Sequence, residues 1–94
     1  MIVVRNCFVA KPGNASKLAA QLKEAVSFMK LPNGRVMTDV TGDFNRVIME
    51  FEAQNVGEFE SRLHQYATDP GLRDKMKGYT DLWVTGSREI LQIV

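Results

Sequence analysis

Residues Ile2 to Ala10 constrain the chain more than any other stretch. They alternate, with Ile2, Val4, Asn6, Phe8 and Ala10 on one face and Val3, Arg5, Cys7 and Val9 on the other. Both sets are largely apolar, which is the signature of a strand in the middle of a sheet that is covered on both sides. Each face carries one polar exception, Asn6 on the first and Arg5 on the second. A buried amide or guanidinium is costly unless hydrogen-bonded. Each is therefore either structurally paired or part of a site.

Lys11-Pro12-Gly13-Asn14 ends this strand, with Gly13 or Asn14 placed to cap a helix. Ala15, Leu18, Ala19, Leu22, Ala25, Val26 and Met29 then recur at helical spacing, and Leu31-Pro32-Asn33-Gly34 stops the run. Arg35 to Thr41 alternates as a second strand. Thr41-Gly42-Asp43-Phe44-Asn45 reads as a hairpin connection. Arg46 to Ala53 forms a third strand, with Val47, Met49, Phe51 and Ala53 on the face that belongs against helices. Asn55 caps a second helix striped by Val56, Phe59, Leu63 and Tyr66. Asp69-Pro70 breaks it and begins a short further helix with Leu72 and Met76. Tyr79 to Thr85 has no clear periodicity and, with the Pro70 break, reads as a lid. Ser87 to Val94 is the last strand.

The order strand, helix, strand, strand, broken helix, strand predicts an α+β protein, a ferredoxin-like βαββαβ plait. Its sheet is antiparallel and four-stranded, with both helices on one face and the first and third strands central. All 94 residues form a single domain, 1–94. Such a sheet has a bare side, expected to show Val3, Cys7, Val9, Met37, Ile48 and Ile90 beside Arg5, Asp39, Glu50, Glu52 and Arg88. An apolar area of that extent calls for a cover. The expected one is a second copy of the chain, with Arg5 or Arg88 meeting Glu50 or Glu52 to fix the register; the alternative is a monomer whose charges solvate the face.

Twelve basic against eleven acidic side chains, without a basic block, argue against a nucleic-acid or membrane-surface partner. Glu50 and Glu52 stand where an RNA-binding sheet would need aromatic and basic residues. One cysteine and one histidine leave no metal site to expect, and no apolar run approaches the ~20 residues of a membrane span. With no signal-like segment at Met1, the expected location is the cytoplasm.

The first strand leading into Lys11-Pro12-Gly13, the Thr41-Gly42 hairpin, the acidic third strand Val47-Ile48-Met49-Glu50-Phe51-Glu52 and the closing Gly86-Ser87-Arg88-Glu89-Ile90 together resemble the dimeric α/β-barrel superfamily. Its small members include antibiotic-biosynthesis-monooxygenase-like and NIPSNAP-like proteins. The resemblance implies two sheets facing each other across a two-fold axis, pairing as a dimeric α/β barrel, and a small cavity between each sheet and its helices. In the monooxygenase and haem-degrading branches that cavity holds an Asn on the first strand, a Trp at the end of the third and a His on the later helix. Asn6 matches the first of these. Phe51 replaces the Trp and Met76 stands where the His would be, which argues against haem and weakens the oxygenase chemistry.

Two functional expectations follow. The first is a homodimer that holds an apolar, lipid-like or polyketide-like molecule among Asn6, Phe8, Phe28, Met49, Phe51, Phe59, Tyr66, Met76, Tyr79 and Trp83, without a cofactor; the plain alternative is that these residues are the core of a small domain. Aromatic and methionine side chains make adaptable apolar walls, and Asn6, Tyr66 or Tyr79 would orient a polar end. The second is a cofactor-independent monooxygenase acting on an aromatic substrate, with neither metal nor haem. There Asn6 steadies an oxyanion and His64 is the candidate proton acceptor. A structural or regulatory dimer without a ligand is the plainer third reading. Asn6 as a core amide and His64 as a surface residue are the corresponding plain readings of the two polar candidates, and Cys7 reads as a small buried hydrophobe.

Overall fold

The computed structural model describes residues 1–94. Strand β1 (Ile2–Ala10) leads to helix α1 (Ala15–Met29), then β2 (Arg35–Thr38) and β3 (Arg46–Ala53). Helices α2 (Val56–Ala67) and α3 (Pro70–Lys75) follow, and a 3-10 turn at Tyr79–Leu82 runs into β4 (Trp83–Gln92). The four strands form one antiparallel sheet in the order β2-β3-β1-β4. β1 and β3 are central, as their two-sided apolar content requires. No helix is long and apolar enough to cross a membrane.

The core lies where alternation places it. Ile2, Val4 and Ala10 of β1 and Val47, Met49, Phe51 and Ala53 of β3 are buried against Leu18 and Leu22 of α1, Leu31 and Phe59. Helix α1 ends at Lys30, which turns left-handed (φ 50°). Asn55 caps α2 by accepting from the Glu58 backbone N–H at 2.9 Å. Asp69 caps α3 through the N–H groups of Gly71 and Leu72 at 2.8 and 3.2 Å. Gln21 of α1 donates to the carbonyls of Lys75 and Lys77 at 2.9 and 3.0 Å and so ties the far end of α3 to α1.

Three expectations are corrected. β2 stops at Thr38 rather than Thr41, because Asp39 turns to take a bidentate pair of hydrogen bonds from Arg46 at 2.8 and 2.9 Å. β4 begins at Trp83, four residues before Ser87, and ends at Gln92. The segment read as a lid is instead anchored: the Lys11 N–H donates to the Leu82 carbonyl at 2.9 Å, and β4 starts directly after it.

A fourth correction concerns the faces of β4. Its register pairs Asn6 with Arg88 and Val4 with Ile90, while Arg5 faces Glu89 and Val3 faces Leu91. Arg88 and Ile90 therefore share the helix-side face, and Glu89 and Leu91 belong to the bare side. A shift of one residue in a strand exchanges its two faces completely.

Candidate functional site

The two helices do not cover the sheet equally. α1 buries Leu18, Leu22 and Ala25, whereas α2 buries only Phe59 and leaves Leu63 38% exposed. Beneath α2 and beside α3 a cavity of about 340 Å³ opens, within the ~300–1,000 Å³ range of small-molecule sites. On the sheet side it is lined by buried Asn6, Met49 and Phe51 and by exposed Arg88 at the rim. Leu22, Ala25 and Met29 close the α1 side, and Phe59, Leu63, Tyr66 and Ala67 the α2 side. Leu31, Leu72, Arg73, Met76 and Tyr79 complete the wall, so that 13 of the 16 lining residues are hydrophobic and none is acidic.

Seven of the residues singled out in the sequence meet here: Asn6, Met49, Phe51, Phe59, Tyr66, Met76 and Tyr79. Phe51 and Phe59 face each other with ring centroids 5.9 Å apart. The Tyr66 hydroxyl donates to the Met29 carbonyl at 3.3 Å, so it braces α2 against α1. Four candidates lie elsewhere. Phe8 stacks edge-on against Trp83 at 5.5 Å, behind Tyr79 rather than in the cavity. Phe28 sits on the outer flank of α1, where the Lys75 ammonium lies 5.5 Å from its ring. His64 is exposed in the last turn of α2; its neighbour Leu63 faces the cavity instead.

Asn6 is buried but is not bonded to helix or loop backbone. Its Oδ1 accepts from Nε of Arg88 at 2.7 Å, and the Arg88 guanidinium lies 5.2 Å from the Phe59 ring centroid. Of the nine lining residues that sequence reasoning did not single out, Arg73 and Arg88 are the two polar ones. Arg88 was assigned to the opposite face, and Arg73 sits on the short α3 outside its apolar stripe.

The bare side of the sheet is organised by charge. Buried Glu50 accepts from Arg5 Nε at 2.6 Å and from Arg35 at 2.8 and 3.2 Å, and Arg5 reaches Glu89 at 3.4 Å. Hydrogen bonds from Arg35, and then from Arg5, hold the Glu50 carboxyl below its ordinary pKa against the opposing effect of burial. The bond from Arg46 does the same for Asp39. These pairs form within one chain and neutralise the centre of the face. Around them lie Val3, Cys7, Met37 and Ile48, half-buried, with Val9 and Leu91 exposed. Cys7 is thus partly open rather than buried.

A two-layer α+β plait with a cavity between its layers is the class these features define. Solved structures share the fold over essentially the whole chain. An uncharacterised NIPSNAP domain protein from Burkholderia xenovorans superposes with a TM-score of 0.85 at 12% identity, covering 100% of this chain and 95% of its own. A NIPSNAP family protein from Agrobacterium tumefaciens gives 0.85 at 15%, with 99% and 92% covered. A protein described as a "putative Antibiotic biosynthesis monooxygenase" from Chloroflexus aurantiacus gives 0.77 at 18%, with 99% and 92% covered. The chain has the ferredoxin-like fold of NIPSNAP-like and antibiotic-biosynthesis-monooxygenase-like proteins. No family model and no curated protein matches it.

Proposed function

We propose that the protein is a homodimer that binds a small, mainly apolar molecule between its sheet and α2. The observation that carries this reading is the cavity itself: about 340 Å³, walled almost wholly by aliphatic, aromatic and methionine side chains in a domain of 94 residues. A chain this small gains by filling such a space, because apolar burial is its main stabilising term. The dimer half of the reading rests on the bare face and on β4. Every residue of β4 from Val84 to Gln92 is exposed, Val84, Ile90 and Leu91 among them, and β4 is an edge strand of ten residues. Long apolar edges of this kind are normally covered. The expected setting is the cytoplasm.

Binding is tested with Nile red, a neutral apolar dye. The wild-type chain takes it up with a blue-shifted emission, and Ala67→Phe, which adds a ring to the cavity wall, abolishes the uptake. Wild-type protein that leaves the dye in water refutes the binding function and favours a dimer without a ligand. Sedimentation at micromolar concentration checks the second half and should return twice the 10.6 kDa of one chain.

A monooxygenase is the alternative, favoured by Asn6 lying in the cavity and by the fold shared with the Chloroflexus aurantiacus protein named for that activity. It is the weaker reading because His64 stands outside the cavity, which leaves only the hydroxyls of Tyr79 and of Tyr66, the latter already bonded to the Met29 carbonyl, for proton transfer. Oxygen consumption with an electron-rich aromatic substrate, lost on Asn6→Ala, would favour it.

A further inference from the structure

The chain has six arginines, and their partners divide them cleanly. Arg5 and Arg35 pair with Glu50, Arg46 with Asp39, and Arg62 with Glu58 at 2.9 Å. Arg73 and Arg88 pair with no carboxylate, and these two line the cavity. No acidic residue lines it with them. An apolar chamber with two uncompensated guanidinium groups and no anion of its own is built for a ligand that brings the negative charge.

Arg88 is the better placed of the two. Its Nε is held by the buried Asn6 at 2.7 Å and its guanidinium by the Phe59 face at 5.2 Å. Asn6 fixes the side chain through the inner nitrogen and, being neutral, leaves the whole positive charge in place. The two terminal nitrogens remain as a planar fork, the shape that receives both oxygens of a carboxylate. Arg88 is exposed while Met49, Phe51 and Phe59 are buried, so the charged end lies at the cavity's mouth and the apolar body extends inward.

We infer that the ligand is an amphipathic carboxylate, an apolar body ending in a single acid group. Arg88 receives the acid, Asn6 positions Arg88, and Arg73 adds a second positive charge at the rim. This rests on the binding function proposed above and narrows it to a ligand class.

Isothermal titration with decanoate and with 1-decanol, equal in chain length and different in charge, tests it. The wild-type chain should bind decanoate at least about 10-fold more tightly than decanol. Arg88→Met removes the charge, keeps an apolar stem at the rim and should abolish that preference while leaving decanol within about 2-fold. Asn6→Asp sets a carboxylate against Nε and should weaken decanoate selectively, because the guanidinium then has an internal partner. Arg73→Met should cost decanoate only about 2–3-fold, as expected of an exposed charge. Thermal unfolding verifies that each variant folds; if Arg88→Met does not, Arg88→Lys, which keeps the charge and loses the fork, gives an intermediate decanoate affinity. Equal affinities for the two ligands in the wild type, or undiminished decanoate binding by Arg88→Met, overturn the inference while the cavity's function stands. If decanol, decanoate and Nile red all fail to bind, both fall together.

Discussion

Helix α1 buries Leu18, Leu22 and Ala25 against the sheet; α2, only three residues shorter, buries Phe59 alone. The cause is the width of the apolar stripe. α1 presents two apolar residues per turn for most of its length, enough to cover a strand pair without gaps. α2 presents about one, at Val56, Phe59, Leu63 and Tyr66. A helix with so narrow a stripe cannot be held down by burial, so it is held at its ends, by the Asn55 cap and by Tyr66 bonded to the Met29 carbonyl. The same roof is thus sealed over one half of the sheet and raised over the other, and the cavity is the difference.

Substitutions should expose this asymmetry in graded fashion. Leu18→Ala, beneath the sealed half, should lower stability by about 2–5 kcal/mol and the thermal midpoint by about 10 °C or more. Glu50→Gln acts on neither half of the roof. It strips Arg5 and Arg35 of their shared partner on the far side of the sheet and should cost about 1–2 kcal/mol in chemical denaturation.

That far side also governs the response to acid. Glu50 and Asp39 have lowered pKa values in the folded chain, so their contribution is fully present above the ordinary carboxylate range and is lost as pH falls through the lowered values. Thermal midpoints measured from pH 7 to pH 3 should decline in the wild type and decline less in Glu50→Gln. An unchanged slope would mean that other carboxylates dominate.

Asn55→Ala, which removes the cap of the raised helix, should cost about 1 kcal/mol. Hydrogen exchange sharpens the contrast, because the amides of α2 should then exchange faster while those of α1 do not change. Leu63→Ala has the smallest expected effect on stability, under about 1 kcal/mol, because the side chain is 38% exposed. Its signature lies in binding, where a widened cavity should loosen Nile red. If Leu63→Ala destabilises as much as Leu18→Ala, the two halves are sealed alike and the contrast fails.

Much of this was legible in residue order. The alternation in Ile2–Ala10 and Arg46–Ala53 placed the core, the stripe in Ala15–Met29 placed α1, and Asn55 and Asp69-Pro70 marked the starts of α2 and α3. The cavity was legible as chemistry, in that Asn6, Phe51, Phe59 and Met76 were expected to meet there. β4 was not. An edge strand exposed on both faces lacks the in-out contrast that fixes register, so Arg88 and Ile90 were assigned to the wrong side. The pairing with β1, with an irregularity between Val9 and Ala10, decides it, and no local pattern encodes a partner eighty residues away. Phe8, Phe28 and Trp83 misled for a related reason. Aromatic character says that a ring wants cover but not which of several neighbours supplies it.

The chain has a single tryptophan, and its surroundings make it a gauge. The Trp83 indole N–H is buried without an acceptor, and its ring centroid lies 6.3 Å from that of Tyr79, which touches the cavity. On the proposed binding function, a ligand that displaces Tyr79 should alter the ultraviolet emission next door. Trp83 would then serve as an optical readout of occupancy, and titrations could be followed without a label.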